Sequence, residues 1–142
     1  MTLAIGQRVG RYEVAEVLGE GGMSTSDRAT DSESGADVVL KVPHAGMIGD
    51  LAAYGRYERE MDITLKLNHP NLQRALSTGH LDGTPLPFLV LEYVVGTSFR
   101  GWLRDRGQLP IDQALGLTLQ VAEALMHCHE QGIVHRDLKP EN

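Results

Sequence analysis

The chain has a single cysteine, Cys128, and no long apolar run among its 142 residues. One cysteine cannot form an internal disulfide, and the polar start MTLAIGQRVGRYEV does not resemble a signal peptide. We therefore expect a cytoplasmic location. No apolar run reaches the roughly 18 residues that a membrane-spanning helix requires, so we expect no membrane segment in this chain, while an anchor of the parent protein outside it stays compatible.

Positive charge and aromatic residues are also scarce. The chain has 13 Lys+Arg against 19 Asp+Glu, a net charge of −6, and 5% aromatic residues. A surface that binds nucleic acid without reading its sequence needs clustered positive charge, so we expect no nucleic-acid partner. The aromatic residues are predicted to lie in or beside a core rather than to form a base-stacking platform.

What the chain does have is enough apolar sequence, 42% of its residues, to bury a core. Residues 12–18, YEVAEVL, alternate apolar and polar, and TSDRATD and DVVLKV follow as short strands, which predicts a three-stranded antiparallel meander. LQRALSTGH and PFLVLEY predict two more strands. Between them, apolar residues recur three or four apart from Asp50 to Leu67, which indicates an amphipathic helix with Asp50 as its N-cap.

The second half has a different composition. SFRGWLRDRG predicts a short helix after Gly96, and Pro110 suits the start of a longer helix over residues 111–131, with Gly132 as its C-terminal cap. That helix has few charges and is apolar on more than one face, so we expect it to be buried on most sides. We predict two parts, residues 1–95 and residues 96–142.

The segment LGEGGMST contains three glycines, Gly19, Gly21 and Gly22. Glycines allow backbone N–H groups to approach a phosphate without obstruction. Strands are predicted on both sides and GK[ST] is missing, which favours a hairpin that covers phosphates over a Rossmann unit or a P-loop. A plain turn is the alternative.

Lys41 stands in the apolar strand VVLKV, and Glu60 stands in the helix segment YEREMD. A buried ammonium is tolerated only when it is paired and hydrogen-bonded, and Glu60 could be that partner. The alternatives are a solvated strand lysine and an acid on the helix surface.

The last eight residues, HRDLKPEN, are dense in ionisable side chains. Asp137 offers a carboxylate that can orient and deprotonate a hydroxyl, Lys139 offers a charge for a transferring phosphoryl group, and Asn142 offers an oxygen for Mg²⁺. No fold needs this grouping for stability. The nearby His127, Cys128 and His129 are adjacent on a helix and point in different directions, so they predict no metal site.

With these motifs in this order, the chain resembles the N-terminal portion of a bacterial-type serine/threonine protein kinase, ending at the catalytic loop. The resemblance implies an α+β fold: a kinase N-lobe with a five-stranded antiparallel sheet and the αC helix, followed by the hinge and the first C-lobe helices. It also implies ATP and Mg²⁺ as cofactors and transfer of the γ-phosphoryl group to a protein hydroxyl. The alternatives are a pseudokinase-like binding or scaffolding module and a small-molecule phosphotransferase of kinase-like fold.

The resemblance assigns roles residue by residue. Lys41 would contact the α- and β-phosphates and pair with Glu60, Asp137 and Lys139 would be catalytic, and Asn142 would bind the metal. Leu91 would be the gatekeeper, Glu92 and Val94 would present backbone groups to adenine, and Ser98 would lie near the ribose. The other residues implied in nucleotide binding are Leu18, Gly19, Gly21, Gly22, Ser26 and Val39.

The chain departs from the kinase pattern at several positions. Ser24 replaces the third glycine, Ser26 replaces the valine that packs over adenine, and Val39 stands where alanine is usual. Asp27 would add repulsion if it faced the triphosphate. We therefore expect weak nucleotide binding. The sequence contains no DFG or APE segment, so the DFG metal ligand is absent from this chain, and we expect a nearly inactive fragment and a homodimer through the helix at 111–131.

Overall fold

The computed structural model describes residues 3–142, apart from the side chain of Ile48. The described residues divide into two compact units. The first contains the residues up to Lys66 together with Gln73–Tyr93, and the second contains Leu67–Leu72 and Val94–Asn142.

The first unit is an antiparallel sheet with one main helix. Its strands are β1 (Arg8–Val9), β2 (Tyr12–Glu20), β3 (Ser24–Asp31), β4 (Asp37–Pro43), β5 (Ala75–His80) and β6 (Pro87–Glu92), in the spatial order β1-β2-β3-β4-β6-β5. A short 3-10 helix (Ala45–Gly49) precedes helix α1 (Leu51–Lys66). The α+β prediction is confirmed, with the five expected strands present. The two-residue β1 and the 3-10 helix were not predicted.

Two cores lie against this sheet, because successive side chains along a strand point to opposite faces. In β4, Val38, Leu40 and Val42 belong to the first core, whereas Val39 belongs to the second. The first core also contains Leu3, Val9, Tyr12, Val14, Ala29, Leu81, Leu86, Phe88 and Val90. The second also contains Met47, Tyr57, Met61, Ala75, Leu89 and Leu91.

Helix α1 begins where its sequence indicates and buries part of its apolar face, while Leu51 at its start is 87% exposed. Asp50 Oδ1 accepts the backbone N–H groups of Ala52 and Ala53, each at 3.0 Å, which makes Asp50 the predicted N-cap. Tyr57 and Met61, four residues apart, are buried against the second core. The Tyr57 hydroxyl also donates to the Lys41 carbonyl oxygen at 3.1 Å, which joins α1 to the backbone of β4.

The second unit contains helices α2 (Phe99–Arg106) and α3 (Ile111–Glu130). Gly107 ends α2 at φ 78° and Gly132 follows α3 at φ 76°, a left-handed conformation that glycine adopts without strain. The segment 67–72, which we predicted to lie in the first part, groups with this unit instead. The Asn71 side chain donates to the Gln120 carbonyl at 3.0 Å, a contact that joins this segment to α3.

Helix α3 contradicts the expectation of a helix buried on most sides. In the part of the chain that the structure describes, Ala124 and Cys128 are its buried residues. Ile111 is 80% exposed, Leu115 65% and Leu119 61%. Residues 3–142 therefore cover only part of the apolar surface of α3. Neither α3 nor any other helix in residues 3–142 combines the length and apolar character needed to cross a membrane.

Candidate functional site

The glycine-rich segment forms the turn between β2 and β3, as predicted. The Gly21 N–H donates to the Ser24 carbonyl at 2.8 Å, and the His44 imidazole Nε2 lies 2.8 Å from the Gly21 carbonyl oxygen. Gly19, Gly21 and Gly22 all have ordinary negative φ. A Cβ at Gly19 or Gly22 would meet no atom within 4 Å. Neither backbone conformation nor packing within residues 3–142 therefore requires glycine at these two positions.

Several predicted nucleotide-binding residues share one face of the sheet. Lys41 lies directly opposite Ser26 on β3 and opposite Leu89 on β6. Val39 in the same strand lies opposite Leu91. Val39 and Leu91 are buried, whereas Ser26 and Lys41 are half-buried. The register thus brings Ser26, Val39, Lys41 and Leu91 together, while Leu18 on β2 is 43% exposed.

Asp27 lies on the opposite face of β3 and is fully buried at 0% exposure, opposite Leu40 of the first core. Its Oδ2 accepts the Thr25 hydroxyl at 3.4 Å, and its Oδ1 has no partner within residues 3–142. Burial raises the pKa of the Asp27 carboxyl, and the Thr25 hydrogen bond opposes this in part. Asp27 therefore does not meet the condition for repelling a triphosphate beside Lys41, because the two side chains occupy different faces.

Lys41 and Glu60 are not joined in this structure. No ion pair between them, at 4.0 Å or less, occurs among the described residues, and Glu60 is exposed on α1. The expected pair is thus not formed, because Glu60 extends into solvent while Lys41 is half-buried in β4. These elements are joined instead by the Tyr57 hydroxyl, which donates to the Lys41 carbonyl. Burial, and to a smaller extent the nearby Glu60 charge, raises the pKa of this hydroxyl.

Strand β6 ends at Glu92, whose backbone N–H and carbonyl oxygen both form hydrogen bonds. Its N–H donates to the Arg74 carbonyl at 2.9 Å, and its carbonyl oxygen accepts from Gln73 Nε2 at 2.9 Å. Val94 is exposed. Ser98 is the N-cap of α2, where its hydroxyl accepts the Gly101 N–H at 3.2 Å.

The loop after α3 brings together the three residues predicted for chemistry. Asp137 Oδ2 lies 2.9 Å from Lys139 Nζ, and Asn142 Nδ2 donates to the Asp137 carbonyl oxygen at 2.7 Å. The hydrogen bond from Lys139, followed by that from Asn142, lowers the pKa of Asp137, and Asp137 raises the pKa of Lys139. Arg136 is held at φ 62°, the one positive φ of a non-glycine residue within residues 3–142. Such strain is typical of functional loops.

Sequence reasoning missed an ion pair that holds this loop. Arg100 Nε on α2 lies 2.8 Å from Glu141 Oε1, and the Arg100 N–H donates to the Pro140 carbonyl at 2.8 Å. Arg100 also lowers the pKa of Glu141. Nothing local in the sequence could have revealed this pair, because 41 residues separate its members.

The oxygen donors of the loop suit a hard cation. Asn142 directs its amide nitrogen to Asp137, and within the described residues no donor binds its amide oxygen. Carboxylate and amide oxygens are the ligands that Mg²⁺ takes in proteins, so the amide oxygen of Asn142 fits the implied metal by its chemistry. No group of three or more His, Cys, Asp or Glu residues that could hold a metal occurs in residues 3–142. Cys128 is buried, and the His127 ring lies 5.5 Å from that of His69.

Comparisons with known proteins agree with this geometry. The sequence profile described as "Protein kinase domain" matches residues 12–142. Serine/threonine-protein kinase PknB of Mycobacterium leprae is 38% identical over 134 residues, which cover 93% of this chain and 22% of PknB. Serine/threonine-protein kinase PksC of Streptomyces coelicolor is 40% identical over 139 residues, which cover 94% of this chain and 25% of PksC.

A solved structure extends the comparison to three dimensions. The kinase domain of PknI from Mycobacterium tuberculosis aligns with a TM-score of 0.81 and 29% identity over 99% of this chain and 56% of that domain. This chain therefore spans about a quarter of the curated relatives and somewhat over half of the solved domain. The chain belongs to the protein kinase domain family.

Proposed function

We propose that this chain supplies the N-terminal lobe, hinge and catalytic loop of a bacterial serine/threonine protein kinase. The enzyme transfers the γ-phosphoryl group of ATP, in the presence of Mg²⁺, to a Ser or Thr hydroxyl of a protein substrate. The observation that carries the proposal is the cluster of Asp137, Lys139 and Asn142 in the loop after α3.

The charges in this cluster suit phosphoryl transfer. The Asp137 carboxylate, whose pKa is lowered by the hydrogen bonds from Lys139 and Asn142, would orient the substrate hydroxyl and accept its proton. The Lys139 ammonium, whose pKa is raised by Asp137, would stabilise negative charge on the transferring group. Asn142 would hold Mg²⁺, which neutralises phosphate charge when bound.

Nucleotide binding is proposed for the face of the sheet that carries Lys41. No contact within residues 3–142 requires glycine at positions 19 and 22. Close approach of phosphates to the backbone would require it. Leu18, Gly21, Val39 and Leu91 complete the cover of the nucleotide, and Lys41 neutralises the α- and β-phosphates.

The hinge residues would contact adenine and ribose. The Glu92 carbonyl oxygen has a second lone pair beside the one used by Gln73, so it can still accept from adenine. The Val94 backbone donates to the base, and Ser98 lies near the ribose. In the reacting state Lys41 pairs with Glu60, which requires α1 to shift from the position described above.

The reaction needs more than this chain holds. Phosphoryl transfer depends on positioning and electrostatic stabilisation, and the DFG aspartate is a principal metal ligand in kinases. We therefore propose that the 142-residue chain alone is nearly inactive. We also propose a cytoplasmic site of action, where ATP is available, and self-association of this chain through the exposed apolar face of α3.

The proposal is tested by restoring the missing part. Residues 1–142 are fused to the C-terminal part of the PknI kinase domain, the part that this chain does not cover. The chain aligns with that domain at a TM-score of 0.81. The fusion should transfer labelled phosphate from ATP to a generic Ser/Thr acceptor, and Asp137→Asn should reduce the rate by at least about 10²-fold. A folded fusion that binds ATP and transfers no phosphate would contradict the proposal and favour the pseudokinase alternative, which Ser26 in the nucleotide face supports.

A further inference from the structure

Arg100 makes two contacts with consecutive residues of the catalytic loop. Its backbone N–H donates to the Pro140 carbonyl and its guanidinium Nε contacts Glu141 Oε1, both at 2.8 Å. Arg100 is the second residue of α2, whose first turn is fixed by the Ser98 cap. A capped helix therefore holds the loop at two adjacent points, one through the backbone and one through a charge-assisted hydrogen bond.

The two contacted residues, Pro140 and Glu141, lie in sequence between Lys139 and Asn142, which are proposed to act in phosphoryl transfer. Asn142 follows Glu141 directly, and its N–H donates to the Lys139 carbonyl at 3.0 Å. Its side chain donates to the Asp137 carbonyl at 2.7 Å and lies 3.4 Å from Asp137 Oδ2. Any displacement of Glu141 is thus transmitted through one peptide unit to the amide group that orients Asp137.

Burial contributes little to holding this loop. Residues 134–139 are all exposed, as are Glu141 and Asn142, and Pro140 is half-buried. Arg136 is in a left-handed conformation, which an L-residue keeps only when the surroundings determine it. Polar contacts must therefore set the loop geometry, and the pair formed by Arg100 and Glu141 is the link from α2.

We propose that Arg100 is a positioning residue for the catalytic loop, acting through Glu141 to fix the orientation of Asn142 and so of the Asp137 carboxylate. The role rests on the proposed kinase function, which gives the cluster its purpose. The positioning itself is a property of the loop and can be measured without nucleotide or turnover.

The test compares NMR signals of the 142-residue chain and its variants at one constant neutral pH. Arg100→Met should shift the Asp137 backbone carbonyl-carbon signal and narrow the separation of the two Asn142 side-chain amide proton signals, because the hydrogen bond between these groups loosens. Arg104→Met is the matched control, since Arg104 is also on α2 but pairs with its neighbour Asp105 at 3.2 Å. The control should leave both signals unchanged.

A double-mutant cycle separates positioning from the loss of a distant positive charge. In an Asn142→Ala background, Arg100→Met should cause no further shift of the Asp137 carbonyl-carbon signal, because the residue through which it acts is gone. The exchanged pair Arg100→Glu with Glu141→Arg should restore the Asn142 signals. Equal shifts of the Asp137 carbonyl-carbon signal with and without Asn142, or equal shifts from Arg100→Met and Arg104→Met, would overturn the proposal.

Folding is checked on the same samples by circular dichroism. If Arg100→Met does not fold, Glu141→Gln decides, since it weakens the same contact from the loop side. The Asn142 amide signals should then narrow as for Arg100→Met, and unchanged signals would overturn the proposal. A kinase fusion that transfers no phosphate while these NMR shifts appear would contradict the proposed function and leave the positioning role intact.

Discussion

Thr25 and Asp27 lie two residues apart on the same face of β3, and the Thr25 hydroxyl is the one donor to the Asp27 carboxylate within residues 3–142, at 3.4 Å. The remaining carboxylate oxygen is buried without a partner beside Leu40 of the first core. A buried polar group without a hydrogen bond carries a desolvation cost that an apolar residue would avoid.

Asp27→Leu should therefore stabilise the chain by about 1–3 kcal/mol. Urea unfolding followed by circular dichroism measures the change in the free energy of unfolding. Asp62→Leu, at an exposed position of α1, is the control and should stay within about 0.5 kcal/mol of the original chain. A destabilised Asp27→Leu chain would contradict the desolvation cost assigned to the buried carboxylate.

Asp27 should also make stability depend on pH in a particular direction. Because the folded-state pKa is raised, the Asp27 contribution is fully present below the unfolded-state pKa and is lost as pH rises through the folded-state value. Asp27→Asn removes this dependence. The free energy of unfolding of the variant minus that of the original chain should grow from pH 4 to pH 7, and a constant or shrinking difference would contradict the assignment.

Ser26→Val should strengthen nucleotide binding, because Ser26 shares the face of Lys41 and valine restores apolar cover there. We expect weak binding of Mg²⁺-ATP by the original chain and about tenfold tighter binding by the variant, or about 1.4 kcal/mol. Isothermal titration calorimetry measures both. Asp27→Leu, which changes the neighbouring residue on the opposite face, should leave the dissociation constant unchanged. If Asp27→Leu alone tightens binding, the assignment of faces is wrong.

The 142-residue chain by itself should phosphorylate protein very slowly. Asp137, Lys139 and Asn142 are present, whereas the DFG aspartate that completes metal binding in kinases is absent from this sequence. Labelled ATP, Mg²⁺ and a generic acceptor protein give the turnover number, with Asp137→Asn as the background. A rate near 1 s⁻¹ or above, typical of complete kinases, would contradict the expected inactivity.

Self-association should follow from the exposed face of α3. Ile111, Leu115 and Leu119 expose most of their side chains, and contiguous apolar surface of this kind favours association. Light scattering at micromolar concentration should give the mass of a dimer, and Leu115→Glu with Leu119→Glu should give that of a monomer. Leu51→Glu, at a leucine 87% exposed in the first unit, should leave the dimer intact. A monomer in the original chain would exclude the homodimer.

Strands, helices and helix ends could be predicted from the sequence, because they depend on residues that are close together in it. Alternation in YEVAEVL and the spacing of Tyr57 and Met61 predicted β2 and α1, and Asp50 and Gly132 predicted the helix ends. The face of Asp27 depends on register with β4, which no local pattern contains. The pairs Arg100 with Glu141 and Asn71 with Gln120 join residues far apart in sequence, so neither could be anticipated. Lys41 and Glu60 were paired by analogy with kinases, and their separation depends on where α1 lies.

The hydrogen bond from the Tyr57 hydroxyl to the Lys41 carbonyl has a mechanical consequence. It joins α1 to β4 through the backbone of Lys41, whose side chain pairs with Glu60 only in the proposed reacting state. Glu60 follows Tyr57 by three residues, about 4.5 Å along the helix axis. A rotation of α1 about this attachment would change the separation between Lys41 and Glu60 while the helix stays bound to the strand. The Tyr57 hydrogen bond thus fixes one point of α1 against β4, while the distance between the Lys41 and Glu60 side chains can still change.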